Sequence, residues 1–419
     1  MDMIDPLSIL SLVSFTIIVG SVGHALQEKT GIPDVLWLLL LGVVIGPVLG
    51  FYPHDIFMRL TPMMTCIAIA IILFDAGLNI DLYKFIHEMP KSISLALLTF
   101  MLSLLFGSLY AYHVSRLGIM GDLGALSSLE ALLLSSMAAG ISVVPLVGIL
   151  GRLEKKGFEL GEIKDVLILE SVLTDPICII TSIMIVNFMV MGRKASWLQT
   201  RSLLTTVSTG FLMGFVMGLI WLFILNKIRE ARYDYLLTVA NLFATYIIAE
   251  AFGGTGAGVI SALIYGLVLG NSVSVSKMLN LEKPLNINKE KLIEFHGEIA
   301  FLIRSFFFVF LGLAVYLSPY LCLFSTGLLF TLQAVRWFSG DLVSRALKLG
   351  SLESEILKNI SPKGLATAVV SFLPAIYGLP RAEIYPTIAL IVILGGLLWS
   401  SLVTSIICRT PPSVRCKEE

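Results

Sequence analysis

The segment Ile163–Met191 reads IKDVLILESVLTDPICIITSIMIVNFMVM and decides the fold class of this chain. It is longer than the roughly 20 predominantly apolar residues that a helix needs to cross a bilayer. Two carboxylates, Glu170 and Asp175, nevertheless lie near its middle. A charge at that depth costs about 2.5–3.5 kcal/mol on insertion scales and usually marks a functional site. The segment therefore predicts a membrane-spanning helix that carries such a site.

The whole chain has the composition of a membrane protein. Of its 419 residues, 57% are hydrophobic and 14% are charged, and the mean hydropathy is +0.91. Soluble domains carry about 25% charged residues, so a soluble fold of this length is excluded. The formal net charge is zero, and no nucleic-acid partner is expected. The five cysteines form no CxxC pair and are interpreted as small core residues, without disulfides, metal ligands or a bound cofactor.

The other apolar segments extend along the entire chain. Thirteen of them, bounded by charged clusters and by Gly or Pro, are predicted to span the membrane: 6–27, 33–51, 60–81, 92–114, 124–150, 163–191, 203–226, 235–252, 254–271, 296–318, 320–343, 362–379 and 384–408. The first follows Asp2 and Asp5 instead of a basic region, so it is interpreted as a span and not as a secretory signal. The sequence thus predicts an all-α membrane protein, with a transmembrane domain over 1–409 and a short cytoplasmic tail over 410–419.

The distribution of Lys and Arg between alternate loops predicts the orientation. With the C-terminus inside, the inward loops hold twenty of the 29 basic residues, the outward loops hold six, and three lie within apolar segments. Cytoplasmic loops of membrane proteins carry an excess of Lys and Arg. Thirteen spans therefore put the N-terminus outside and the C-terminus in the cytoplasm, in a multi-pass protein of the cell membrane.

The sixth segment combines hard oxygen ligands with a disturbed helix. Glu170 and Thr174 are four residues apart and share a helix face, while Asp175 lies about 100° further round. Pro176 cannot donate a backbone hydrogen bond and crowds the carbonyl of Val172, so we expect it to open the local helix. Burial disfavours the charged form of a carboxylate, so a proton and a small cation can compete for Asp175 near neutral pH.

Two further segments have the pattern of helices that are interrupted within the membrane. Residues 135–145 read SSMAAGISVVP and include Ser142, and residues 360–368 read ISPKGLATA and include Lys363. Interrupted helices in corresponding positions of two repeats point to a transporter binding site. The alternative interpretation is close helix packing through small residues. Two other carboxylates in apolar segments, Asp341 and Glu250, are interpreted as structural pairs or helix-end residues.

Four motifs together resemble the monovalent cation:proton antiporter superfamily, and specifically its NhaP-like sodium/proton exchangers. Residues 73–78, LFDAGL, look like the family's Phe-Glu/Asp-Ala-Gly motif, and 170–176, ESVLTDP, look like its sixth-helix signature Glu-Ser/Gly-x-x-Asn-Asp. Residues 249–256, AEAFGGTG, are similar to the stretch Ala-Glu-x-x-Gly-x-Ser-Gly, and 306–312, FFFVFLG, behind Arg304, resemble another family helix. The similarity extends over essentially the whole membrane domain.

The resemblance implies a secondary antiporter, not an enzyme, that exchanges Na⁺ or Li⁺ for H⁺ by alternating access. It implies inverted repeats with broken helices in a mobile core domain, and a separate domain that forms a homodimer. It assigns Asp175 to bind cation and proton in turn, and Thr174, Ser171, Ser142 and Asp75 complete the predicted binding set. It assigns Glu170 to a structural ion pair, for which both Arg336 and Lys363 are candidate partners.

The chain departs from the family pattern at three positions. Thr174 stands where the family usually has Asn, and Lys363 stands where many members have Arg. Lysine, unlike arginine, can lose its proton when it is buried. Residues 140–143, GISV, stand where many relatives carry Thr-Asp-Pro. These departures bear on the cation preference and on the ligand set.

Three other functions are weighed against sodium/proton exchange. Potassium/proton exchange fits the same residues, although the chain lacks the cytosolic nucleotide-binding domain of the ligand-gated potassium efflux branch. A cation channel would need a filter sequence, and no Gly-Tyr-Gly stretch is present. An intramembrane hydrolase would need a motif such as His-Glu-x-x-His or Gly-x-Gly-Asp, and the sequence contains neither. One carboxylate at the site predicts an electroneutral exchange of one proton for one cation.

Overall fold

In the computed structural model, every regular element of the described part of the chain is a helix. The structure describes residues 6–30, 32–52, 54–80, 90–118, 124–191, 196–227, 234–280, 285 and 289–409. The predicted tail over 410–419 lies outside the described residues. The all-α prediction is confirmed for the part of the chain that is described.

Seventeen α-helices follow one another in these ranges. They are α1 (Pro6–Thr30), α2 (Asp34–Val43), α3 (His54–Asn79), α4 (Pro90–Arg116), α5 (Ser128–Ala139), α6 (Val143–Lys155), α7 (Gly161–Met191), α8 (Ser196–Lys227), α9 (Asp234–Gly253), α10 (Ala257–Gly270), α11 (Ser272–Met278), α12 (Lys289–Leu313), α13 (Pro319–Leu347), α14 (Ser351–Asn359), α15 (Leu365–Val370), α16 (Leu373–Ile376) and α17 (Ile384–Ile407). A π-helical turn, Val44–Val48, extends α2.

Ten helical segments of the described chain are long and apolar enough to cross a membrane. The pair α10 and α11 forms an eleventh, bent by 86° between its two helices. Two of the predicted spans contain helices too short to meet this criterion of length. The segment 33–51 contains the shorter apolar helix Asp34–Val48, and the segment 362–379 contains the short apolar stretch Leu365–Ile376. The predicted division at Gly253-Gly254 is confirmed, because α9 ends at Gly253 and α10 begins at Ala257.

The fifth predicted span is interrupted within the stretch that the sequence indicated. A capping box starts α5, in which Ser127 accepts from the Glu130 N–H and Glu130 accepts from the Ser127 N–H. The helix ends at Ala139, residues 140–142 are not helical, and α6 begins at Val143. The twelfth predicted segment, 362–379, begins in a similar non-helical stretch over residues 360–364, between α14 and α15. The two interruptions are therefore features of the backbone and not only of small-residue packing.

The chain divides into two compact units. The first comprises Met1–Thr61, Pro90–Ile179 and Arg304–Glu419, and it holds both interrupted helices and the greater part of α7. One apolar core of this unit joins α4, α6, α7, α13, α14 and α17, through residues such as Leu95, Leu150, Leu167, Val343 and Ile356. Because lipid chains are as apolar as leucine, such side chains hold helices together in a bilayer mainly by van der Waals packing. This core joins α7, the helix that carries Glu170 and Asp175, to α6 and α14.

The second unit comprises Pro62–Met89 and Ile180–Ile303. Its helices α8 and α10 approach closely, since a Cβ built on Gly210 would lie 2.6 Å from the carbonyl oxygen of Ala257. The aromatic ring of Phe74 packs against Tyr265 and, edge to face, against His296. Glu250 accepts the backbone N–H groups of Gly256 and Gly258 at 2.9 and 3.1 Å, which stabilises the start of α10. Its interpretation as a helix-end residue agrees with these contacts.

Candidate cation site

Asp175 lies on α7, which continues without interruption through Pro176. Pro176 leaves the carbonyl of Val172 without its usual N–H donor, but this local opening does not end the helix. Proline is tolerated within a membrane helix when neighbouring groups can compensate. Asp175 is partly exposed, whereas Glu170, Ser171 and Thr174 are fully buried. Of the polar residues in this motif, Asp175 thus has the most accessible side chain.

The interruption between α5 and α6 lies directly against Asp175. A Cβ built on Gly140 would lie 3.1 Å from Oδ1 of Asp175, so the absence of a side chain at Gly140 lets the carboxylate approach the backbone. The backbone N–H of Ile141 donates to Oγ1 of Thr174 at 3.2 Å. The non-helical residues are therefore held by α7 on one side.

The interruption between α14 and α15 holds the same residues on another side. The backbone N–H of Ser142 donates to the carbonyl of Pro362 at 2.9 Å, and Nζ of Lys363 donates to the carbonyl of Ala139 at 3.2 Å. A Cβ on Gly364 would lie 2.4 Å from Oγ of Ser142, so this close crossing needs glycine. The carbonyl end of a helix carries a partial negative charge, and Lys363 neutralises that end of α5.

Glu170 is paired with Arg336 of α13. The guanidinium donates from Nη1 to Oε1 and from Nη2 to Oε2, the latter at 3.0 Å, which is a bidentate ion pair. The exposed fraction of each side chain is at most 2%. Lys363, the other candidate partner, donates to a backbone carbonyl instead. The sequence alone left this choice open.

Four charged groups form one electrostatic cluster in the first unit. The ammonium of Lys363 interacts with Arg336, Glu170 and Asp175, and the carboxylate of Asp175 interacts with Lys363. Two carboxylates and two cations give this cluster a formal charge of zero. Binding one monovalent cation, or one proton, to Asp175 brings the total to +1 in either case.

The predicted oxygen ligands around Asp175 differ in how many hydrogen bonds they already make within the protein. Thr174 donates its hydroxyl to the carbonyl of Ser171 at 3.3 Å and accepts the N–H of Ile141, so it anchors the interruption. Ser171 donates to the carbonyl of Ile168 at 2.7 Å. A hydroxyl oxygen has two lone pairs, so both residues retain acceptor capacity for a cation. Ser142 is buried at the crossing of the two interruptions.

The other carboxylates that the sequence singled out, Asp75 and Asp341, have contacts of their own. Asp75 is on α3 in the second unit, is partly exposed, and accepts from Nδ2 of Asn79 at 3.2 Å. Its role as a ligand stays a prediction. Asp341 forms ion pairs with Lys358 at 2.6 Å and with Arg345 at 2.7 Å, which agrees with its interpretation as a structural residue.

Several groups that build the site were missed in the sequence. Two of these groups are the backbone carbonyl of Ala139 and the backbone of Gly140, which Asp175 can approach because glycine has no side chain. In the sequence they are visible only as part of a run of small residues. The ion pair of the buried Glu130 with the partly exposed Arg381, at 2.7 Å, was also missed. Glu130 also closes the capping box that starts α5. The Ser-x-x-Glu pattern over 127–130 is the sequence signal for that helix start.

Comparison with known proteins places the chain among ion exchangers. A family model described as "Sodium/hydrogen exchanger, transmembrane" matches residues 12–409. Na(+)/H(+) antiporter 1 of Methanocaldococcus jannaschii is 24% identical over 324 residues, which cover 76% of this chain and 71% of that protein. K(+)/H(+) antiporter NhaP2 of Shewanella sp. strain MR-4 is 24% identical over 390 residues, which cover 89% of this chain and 61% of that protein. The solved structure of the sodium proton antiporter MjNhaP1 from M. jannaschii at pH 8 has a TM-score of 0.74 at 21% identity, covering 95% of this chain and 100% of that one. That likeness shows the same fold.

Proposed function

Because the chain belongs to the sodium/hydrogen exchanger family, we propose that it exchanges Na⁺ or Li⁺ for H⁺ at Asp175 by alternating access. The observation that carries the proposal is the position of Asp175. It is a partly exposed carboxylate beside two interrupted helices that cross each other. Irregular backbone at membrane depth occurs where it is buried in protein or lines a cavity, and in transporters it binds ions.

In this mechanism, Asp175 holds a proton and a cation alternately. The cation displaces the proton from the carboxylate, and acceptor oxygens of Thr174, Ser171 and Ser142 complete its coordination. Hard oxygen ligands suit a small monovalent cation. Lys363 lowers the cost of an ionised Asp175 by its positive charge, and Glu170 with Arg336 keeps the surrounding helices in register.

The charge of the cluster supports a one-for-one exchange. Proton and monovalent cation each add a single charge to a cluster whose formal charge is zero, so the two loaded states have equal charge. Exchanging one for the other moves no net charge across the membrane. Each net charge that did move would couple to the membrane potential by about 2.3 kcal/mol per 100 mV.

The membrane topology is part of the same proposal. We count thirteen spans when the bent pair and the two shorter apolar segments are each taken as one. The N-terminus is then outside and the C-terminus in the cytoplasm, as the distribution of basic residues predicts. The protein acts in the cell membrane as a homodimer, and the mobile core domain of its inverted repeats contains the two interrupted helices and Asp175.

Potassium/proton exchange is the second candidate. The relatives from Shewanella, which carry that name, match a larger share of this chain than the relative named as a sodium antiporter. Thr174 stands where the family resemblance expects an amide, and residues 140–143 stand where many relatives carry Thr-Asp-Pro. Cation choice is therefore the first quantity to measure.

The test is proton-coupled flux in proteoliposomes that contain the purified chain. We expect proton efflux when Na⁺ or Li⁺ is added, and we expect Asp175→Asn to abolish it while the protein stays folded by size-exclusion chromatography and circular dichroism. Glu162→Gln is the matched control, because it changes an exposed carboxylate of the same helix to an amide. A larger response to K⁺ would favour the second candidate. Cation flux that ignores the proton gradient would favour a channel, and wild-type exchange by Asp175→Asn would overturn the mechanism.

A further inference from the structure

A groove of about 1090 Å³ lies between α1, α2, α6 and α17 of the first unit. Its volume is at the upper end of the range for ligand pockets. None of the residues that line it belongs to the cation site described above. The groove therefore needs its own explanation.

One part of the groove is apolar and open. Helix α6 contributes Val143 and Val147, four residues apart on one face, and α17 contributes Leu398 and Leu402 with the same spacing. The exposed fractions of Val147, Leu398 and Leu402 are 46%, 50% and 63%. In addition, a Cβ built on Gly151 would meet nothing within 4 Å, so the groove stays wide there. Such a wall suits hydrocarbon chains.

The other part of the groove is basic. Arg152, Lys155 and Lys156 line it at the last turn of α6, and both lysines are exposed. Arg152 donates from Nη1 to Oγ of Ser405 at 3.2 Å, which holds its guanidinium beside α17. No Asp or Glu is among the described residues that line the groove. The nearby Glu154 is paired with Lys164 at 2.7 Å.

We propose that the groove binds an anionic phospholipid. The phosphate lies at Arg152, Lys155 and Lys156, and the acyl chains follow the valines of α6 and the leucines of α17. Basic pockets between transmembrane helices on the cytoplasmic side are suited to anionic head groups, and in the proposed topology these residues are cytoplasmic. A free anion would use the basic end but not the apolar wall. A lipid would use both the basic end and the apolar wall. Lipids are also available there, because the bilayer surrounds the helices that form the groove.

The experiment measures lipid binding to the delipidated full chain in detergent. Dioleoyl phosphatidylglycerol is titrated and followed by native mass spectrometry and by apparent Tm, with dioleoyl phosphatidylcholine and inorganic phosphate as separate arms. We expect phosphatidylglycerol to bind and to raise the Tm, and the other two to do neither. The double variant Lys155→Gln/Lys156→Gln should bind it roughly thirtyfold more weakly, since each basic residue near an anionic surface contributes about a fivefold factor.

Two variants keep the test independent of folding and of general charge. Gly151→Phe fills the groove where no atom stands in the way, and it should lower lipid binding while the unliganded protein remains as stable as the wild type. Lys277→Gln/Lys291→Gln removes the same charge from another surface and should bind like the wild type. Equal binding of both lipids, stabilisation by phosphate alone, unchanged binding in the Lys155→Gln/Lys156→Gln variant or equal losses in both lysine pairs would each overturn the proposal.

Discussion

The ion pair between Glu170 and Arg336 gives the sharpest test of how this site is held together. Both side chains are essentially inaccessible, and two hydrogen bonds join them. Removing one partner of a buried pair leaves the other charge without compensation, at a cost of about 3–5 kcal/mol. We expect Glu170→Gln to lower the free energy of unfolding by an amount in this range.

The two partners should not be equivalent. Glu170→Gln leaves the buried guanidinium of Arg336 close to the like charge of Lys363, with which it interacts. Arg336→Gln leaves Glu170 with the favourable field of Lys363. The first variant should therefore lose more stability than the second. The double variant should lose less than the sum, by about 0.5–3 kcal/mol of coupling energy.

The assay is unfolding of the purified protein in mixed detergent micelles, followed by tryptophan fluorescence. Glu162→Gln is the control, since it removes one partner of an exposed pair with Lys91, and surface pairs contribute little. This account of the pair would be refuted if Glu170→Gln left the free energy of unfolding unchanged. It would also be refuted if the stability losses of the two single variants added up to the loss of the double variant. A change of cation selectivity without a loss of stability would instead make Glu170 part of the binding site.

Three further outcomes follow from the geometry. Sodium-driven proton flux should ignore a membrane potential set by a potassium diffusion gradient, and flux that scales with voltage would reject one-for-one exchange and point to deprotonation of Lys363. Thr174→Val should cost about 1–3 kcal/mol, because the buried N–H of Ile141 loses its acceptor, whereas Thr174→Ser should retain most of the stability in the same unfolding assay. Gly364→Ala should cost about 1–3 kcal/mol by overpacking against Ser142, and adding Ser142→Gly should recover part of that loss; no recovery would mean that the strain lies elsewhere.

The composition and the apolar segments predicted the fold class because hydrophobic length depends on local sequence. The two interruptions could also be predicted, since small residues near a proline weaken a helix wherever it lies. Residues 33–51 and 362–379 were harder, because an apolar segment does not reveal whether its helix runs straight through. The extent of the opening at Pro176 was hidden for a related reason. Its effect on the helix depends on the neighbours that replace the lost hydrogen bond, and those neighbours come from distant parts of the chain.

The sequence predicted which carboxylates form the site, but not which basic residue pairs with Glu170. Glu170 and Asp175 could be identified because a charge in an apolar helix is visible in the sequence. The choice between Arg336 and Lys363 could not be made, because each is a single basic residue in a late segment and only the packing of α7 with α13 decides between them. The anchoring role of Thr174 was equally hidden, since its donor is a backbone N–H of an interrupted helix. Backbone groups carry no sequence signal.

The mutual support of the two interrupted helices has a consequence for how the protein is made. The bond from Lys363 to Ala139 joins residues 224 positions apart. At synthesis rates of about 5–20 residues per second, the first interruption leaves the ribosome about 10–45 s before its partner exists. During that interval its backbone groups lack their final acceptors and donors, and each such group costs several kcal/mol in lipid. Until the later interruption has been synthesised, water or the insertion machinery must therefore provide hydrogen-bond partners for the backbone of the earlier one.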